Sequence, residues 1–542
     1  MLRIQIYILI FIVLTAYSPN KILTGQVKNQ FDSIDEVIFY IENNSVEDNL
    51  SINYNTINQF EIDLINAVIS YKTGDYNKTY SLLVEYLYDA PKNFIFNKYL
   101  SASARIIKKV DVLLELVNDK NNKKDYKLLT GLIKFDQTNY QAALKNLHSV
   151  INEGKGSIPV IIKLADNYRK LGDYKKATLI LNDLENEIDK SNRYYPEILI
   201  AKGSLQFLSG NYENAKDLYA EGLSIAKELG NNIEVIKAEL NLGIIKDILG
   251  STSEAQSLFG NAYSLAKEIN QKELEATVLS EWGVSLTYLT QPVEARNKYE
   301  ESFEIFNTLN NYERMALTAI NIGSQFLNIN NYGAALKRYK LAVNLAGENP
   351  RTKMLAFRGL GDVYTNLSNY SNAIEYYERA KKIANKLKDQ SAAAEINIGL
   401  GTLFYNLDQP EKAFEIILEN YDSINVQTNP YLKAELNQKA GIVSLALSNF
   451  ETAERYLSES IRISDTFNDF YSSILSNTFL GYAYISQGKV ENGKNILGEQ
   501  LNLSIEYDLN QLLGMQYLIL AEALNGKVKY RNLSLAENHS LK

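Results

Sequence analysis

Two histidines, His148 and His539, are the only imidazoles in 542 residues, and there is no cysteine. Nucleophilic triads and zinc sites need a base or a soft ligand close to other polar groups at short spacing. His148 stands in "AALKNLHSVI", beside apolar residues on an expected helix, and reads as a packing residue; His539 stands in the C-terminal tail. The missing thiols exclude disulfides, thiolate metal sites, cysteine nucleophiles and a lipidated N-terminal Cys. "RGLGD" at 358–362 holds Gly-x-Gly, a fragment of a phosphate-binding turn, but no strand precedes it and the third glycine is absent. Asp/Glu pairs are plentiful, as any charged helix provides at i,i+3 and i,i+4. The lone Trp282, in "SEWGVSL", reads as packing between structural units. The expectation is therefore no catalytic residue, no metal and no cofactor.

The charge balance narrows the partners. The net charge is −8 and the longest basic cluster, "NKKDYK" at 122–127, is interrupted by Asp125. A phosphate backbone would be repelled, so nucleic acid is not an expected partner. With 46% apolar and 22% charged residues the chain has the composition of a folded protein. Its polar side chains matter through what they are mounted on.

That mounting is periodic. Gly203, Gly243, Gly283, Gly323, Gly361, Gly401, Gly441 and Gly481 recur at steps of 40 residues, with a single step of 38. Twelve residues after each stands a small residue: Ala215, Ala255, Ala295, Ala335, Ala373, Ala413, Ala453 and Gly493. Gly131 with Ala143, Ala165 with Ala177, and Ala67 with Thr79 extend the phase towards the N-terminus. Within a unit, as in 238–269, apolar residues recur at helical spacing on both sides of "LGSTSE". Gly250 suits a helix C-cap, and Ser251 or Ser253 an N-cap. Each unit is thus two antiparallel helices. The glycine and alanine let the helices approach, while Tyr168, Phe326, Tyr364, Phe404 and Tyr484 on first helices and Tyr219, Phe259, Tyr299, Tyr339 and Tyr377 on second helices fill the remaining gap. One pair cannot bury both its faces; stacking does, and makes stability nearly a sum of nearest-neighbour terms.

The pattern resembles the tetratricopeptide repeat, most closely in "KLADNYRKLGDYKKATLIL" (163–181) and "GLGDVYTNLSNYSNAIEYYERAKKIA" (359–384), and the likeness covers roughly 55–525. It departs in length. The common unit has about 34 residues, and the added residues here follow the second helix, as in the long repeats of kinesin light chains and bacterial peptide-sensing regulators. The resemblance implies an all-α superhelical solenoid of stacked helix pairs, with about 11–12 repeats including degenerate ends at 101–130 and 511–541. Pentatricopeptide arrays would be basic, Sel1-type units carry a second Gly-rich turn, and HEAT units an internal Pro. The expected order is a signal peptide (1–25), an N-terminal helix and polar loop (26–56), the array (57–510), and capping helices (511–542) joined by an Asn525-Gly526 turn.

In such arrays the first helices line a concave groove that holds the partner. Carried onto this chain, the resemblance puts Asn241, Ile244 and Asp247, Glu281, Val284 and Thr287, Asn321, Ser324 and Leu327, Asp362 and Thr365, and Thr402 and Tyr405 on that face, with Arg358, Gln438 and Lys439 beside them. An amide- and carboxylate-rich groove suits an extended peptide or a helix.

The N-terminus adds a location. "MLRIQIYILIFIVLTAYS" has Arg3 followed by an apolar run from Ile4 to Ala16, too short to span a bilayer, which takes about 20 residues. It reads as a secretory signal peptide, with an uncleaved anchor as the alternative because no clean Ala-x-Ala site follows. Together with the array it resembles exported Bacteroidota proteins. The expectation is a non-catalytic scaffold or adaptor, periplasmic or extracellular, that binds another protein or peptide and does not insert in the membrane after cleavage. The alternative is a ligand- or peptide-sensing component acting through a separate membrane partner.

Overall fold

The computed structural model describes residues 33–45, 58–88, 92–118 and 126–524, apart from 138, 155, 289–290, 348, 468 and 507–508. The expected signal peptide, most of the polar loop, and the last capping helix with its Asn525-Gly526 turn lie outside the described residues.

Among the described residues every regular element is helical. The period has a simple origin. Helices Tyr212–Glu228, Asn232–Ile248, Thr252–Glu268 and Lys272–Tyr288 each have 17 residues. Three-residue links at 229–231 and 249–251 join them, so two helices and two links complete the 40-residue unit. The added length therefore lies in both helices. The 38-residue step coincides with a shorter second helix, Tyr332–Leu345. One second helix departs more strongly. Pro410–Leu418 has 9 residues and gives way to a 3-10 turn at Tyr421–Ser423. There "ENYDSINVQTNP" offers turn formers in place of apolar periodicity. Ile424 anchors the loop in the core, and Asn397 Nδ2 donates to Asn420 Oδ1 at 2.8 Å.

The links are built by caps. Asn139, Asn311, Asn331, Asn369 and Asn449 accept backbone N–H groups at helix starts, as do Asp75, Asp173, Asp389 and Asp469. Helix ends turn in the left-handed region, at Gly172, Gly210, Gly250 (φ 80°) and Gly488, and at non-glycine residues such as Asn330, Ser368, Asp408 and Ser448.

The helices form two compact units. Unit 1 comprises residues up to Lys202 with 220–238 and 261–275; unit 2 comprises 203–219, 239–260 and 276 onward. In unit 1 one apolar core joins Val37, Ile38 and Ile41 of helix Ile34–Asn43 to Leu64, Val68, Leu83, Phe96 and Leu100. In unit 2 the first helices lie side by side, Tyr312–Asn328 against Pro350–Asn366 and Gln390–Asn406 against Pro430–Ala446, each packed on its own second helix.

The small residues sit at the crossings. Ala143, Ala177, Ala215, Ala255, Ala295, Ala335, Ala373, Ala413 and Ala453 are all buried. Even the weak first unit keeps the register, since Thr79 is buried and its hydroxyl donates to the Ala67 carbonyl at 3.1 Å. What faces each glycine is the large residue sixteen positions on. A Cβ on Gly203 would meet the Tyr219 ring at 2.6 Å, one on Gly283 the Tyr299 ring at 2.7 Å, and one on Gly361 the Tyr377 ring at 2.7 Å. Leu147, Ile417, Leu457 and Leu497 take the same place opposite Gly131, Gly401, Gly441 and Gly481. The first-helix aromatics differ from expectation. Tyr168, Phe326, Phe404 and Tyr484 are only half-buried and lie beneath the cations of Lys176, Arg296, Lys412 and Lys489.

Candidate partner-binding face

The second-helix tyrosines of unit 2 carry a hydroxyl past the glycine to the first-helix face. Tyr219 donates to Ser204 Oγ at 3.1 Å, and Tyr377 to Asp362 Oδ1 at 2.6 Å. The Tyr339 hydroxyl is hydrogen-bonded to Ser324, and that of Tyr299 lies 3.3 Å from Thr287 Oγ1. Ser204, Ser324 and Asp362 each follow their glycine directly, so the ring slot and the polar row are one construction. Phe259 interrupts it beside half-buried Ile244; there Trp282 stacks on the Phe259 ring at 6.5 Å, donates to Gln256 and lies under Lys298 Nζ.

The expected binding residues fall into three groups. Asn241 and Asn321 are half-buried and their amides make no hydrogen bond among the described residues, where half-buried Lys439 likewise has no ion pair. A second group is engaged locally. Asp247 is hydrogen-bonded to Ser285, and Thr287 accepts from Gln325 Nε2 at 3.0 Å. Arg358 pairs with Glu395 of the next first helix, and Tyr405 is half-buried with a partner of its own. The third group is interior. Gln438 is buried, and its amide donates to Ser476 Oγ at 2.9 Å on the next first helix, so it joins hairpins and presents no donor to a ligand. Thr365 is likewise buried.

The carboxylates of this face are hard to ionise. Burial holds Asp247, Glu281 and Asp362 above the ordinary range; Ser285 offsets this at Asp247, Arg314 at Glu281, and Arg358 with Tyr377 at Asp362. Burial also pushes the Tyr377 phenol far up, reinforced by Asp362.

The Gly-x-Gly of "RGLGD" has a structural explanation. A Cβ on Gly359 would stand 2.1 Å from the Tyr339 ring of the preceding hairpin, and one on Gly399 2.6 Å from that of Tyr377. Both occupy the position, two before the repeat glycine, that carries Asn241, Glu281, Asn321 and Lys439 elsewhere. The sequence signal for these slots is the doubled glycine itself, at 359 and 361 and again at 399 and 401.

Among the described residues no catalytic constellation emerges. His148 Nε2 lies 2.6 Å from the Tyr168 hydroxyl in an edge-on ring contact. Among the described residues no group of three or more His, Asp or Glu is placed to hold a metal, and no helix is long and apolar enough to cross a membrane.

Residues 359–387 match the tetratricopeptide repeat family model. No curated protein matches the chain. Among solved structures it is similar to a Rap protein complexed with competence and sporulation factor, at 13% identity over 76% of this chain and 99% of that one, TM-score 0.48. It is also similar to yeast Tom70, at 14% identity over 85% and 96%, TM-score 0.40. A third is a tetratricopeptide repeat protein from Parabacteroides merdae, at 17% identity over 52% and 98%, TM-score 0.36. The matched hairpin is thus a tetratricopeptide repeat, and its Gly361–Tyr377 slot recurs through the neighbouring hairpins, a TPR-like helical repeat scaffold that fits protein–protein interaction.

Proposed function

We propose that the first-helix face of unit 2 is the docking surface of a non-catalytic scaffold or adaptor, exported to the bacterial periplasm, which takes an extended peptide or a helical segment of another protein. The observation that supports this reading is the pair Asn241 and Asn321. Both amides are half-buried, at equivalent positions two hairpins apart, and neither has a partner among the described residues. A primary amide offers a donor and an acceptor together, which matches a peptide main chain. Glu281 between them supplies a further hydrogen-bonding carboxyl, and Lys439 further along a positive charge, for flanking side chains.

The test is a pull-down from envelope extract with the native protein and with Asn241→Ala/Asn321→Ala. Neither amide holds the fold, so both proteins melt alike, and loss of a partner reports the face itself. Unchanged recovery of every partner discards the assignment. Export is tested separately by N-terminal sequencing of the periplasmic fraction; a cytoplasmic protein with Met1 intact removes that part.

A further inference from the structure

Helix Ile34–Asn43 ends in an unusual way. A helix leaves its last carbonyls without intrahelical partners, and solvent or a local turn normally receives them. Here remote side chains do. Lys72 Nζ donates to the carbonyls of Ile41 and Asn44, and lies 3.4 Å from that of Glu42. Gln271 Nε2 donates to the Glu42 carbonyl at 2.8 Å, and Asn232 Nδ2 to the Asn43 carbonyl at 2.7 Å. In return Asn43 Oδ1 accepts the backbone N–H of Ile233 at 2.9 Å, one of the open donors at the start of helix Asn232–Ile248. Asn43 is 1% exposed, so this exchange is inside the fold.

The rest of unit 1 follows the same lines. Arg193, before the helix that starts at Tyr195, donates to the Asp35 carbonyl at 2.8 Å, pairs with its carboxylate at 3.5 Å and covers the Phe39 ring. Arg105 faces Glu273 at 3.6 Å, and Asn270 Nδ2 donates to the Lys72 carbonyl at 2.8 Å. Glu42 pairs with Lys98 at 2.7 Å and accepts from the Tyr99 hydroxyl at 2.6 Å. One short helix thus touches the N-terminal ends of the first helices beginning at Tyr195, Asn232 and Lys272, up to 229 positions away.

We infer that helix Ile34–Asn43 is a strap that closes unit 1 on itself. Its apolar side, Val37, Ile38 and Ile41, holds it to the first hairpin, while its polar end holds Asn232 and Ile233 of one link and Gln271 of another. Stability in unit 1 is then not a sum of nearest-neighbour terms, because the strap couples hairpins that are far apart in the chain. Its ion pairs are partly exposed, Asp35 56% and Lys98 45%, so salt weakens them while the amide–carbonyl bonds persist. This inference is independent of the docking face in unit 2.

The test is hydrogen exchange on the full chain, comparing the native protein with Asn43→Ala and with Asn43→Cys/Ile233→Cys. The chain has no other cysteine, so oxidation joins that pair alone. For Asn43→Ala, exchange over 231–236 accelerates about tenfold or more, while helix Pro430–Ala446 keeps its rate. The oxidised double variant exchanges over 231–236 no faster than the native protein, and reduction restores fast exchange. Native rates over 231–236 in Asn43→Ala, or equal acceleration in every helix, would overturn the strap.

Discussion

The Tyr377 hydroxyl reaches past Gly361 and donates to the buried side of Asp362 at 2.6 Å. The bond makes a ring in the helix crossing and a carboxylate on the candidate face parts of one structure. Removing the hydroxyl with Tyr377→Phe leaves the carboxylate short of a donor and costs about 1–3 kcal/mol, read as a fall in the denaturation midpoint.

Asp362 also sets a pH dependence. Burial raises its folded-state pKa above the ordinary 3.8, and Arg358 and Tyr377 only partly offset this. The folded protein therefore binds more protons than the unfolded chain, and this group's contribution is full below 3.8 and lost as pH rises through the raised value. Asp362→Asn keeps an acceptor for Tyr377 and removes the titration. Denaturation midpoints of variant and native protein then agree at acid pH and separate towards neutrality, with the variant the more stable.

Glycines in this chain divide by what stands over them. Gly361→Ala pushes a methyl into the Tyr377 ring and destabilises by about 1–3 kcal/mol. Gly498 is in helix Val490–Glu506 with nothing within 4 Å of an added Cβ, and Gly498→Ala stabilises by about 0.5–1 kcal/mol. Calorimetry of the two variants side by side checks the opposite signs.

The link at 448–449 offers two changes of opposite sign. Ser448 has φ 56°, which a side chain resists, and Ser448→Gly relieves it. Asn449 caps helix Phe450–Thr466 by accepting from the Thr452 N–H at 3.3 Å, and Asn449→Ala costs about 1 kcal/mol. Melting temperature rises for the first and falls for the second.

How legible all this was in the sequence depends on the range of each interaction. The hairpins were readable because glycine, alanine and the caps recur in phase, and Thr79 could be placed from phase alone. Spacing shows that each glycine makes room and that a second-helix ring fills the gap, but not that the ring stands directly over the glycine. Tyr219, Tyr299, Tyr339 and Tyr377 were singled out, yet their hydroxyl partners depend on side-chain direction across a crossing. A second register of small residues went unread. Ser302 donates to the Ala276 carbonyl at 2.7 Å, and Ser460 to that of Ala434 at 2.9 Å, each spanning 26 positions. Gln438 was assigned to the face because its position relative to Gly441 is near the expected one; its burial follows from Ser476 on the neighbouring helix, which no local pattern reveals. The remote carbonyl acceptors of helix Ile34–Asn43 were invisible for the same reason.

Tyr339 fits two slots, Gly323 within its hairpin and Gly359 in the next, and Tyr377 likewise fits Gly361 and Gly399. These hairpins are therefore not interchangeable bricks. A recombination event that moved one alone would set Tyr339 against Asn, Glu or Lys where it now meets glycine, so heritable rearrangement in this stretch succeeds only when adjoining segments travel together.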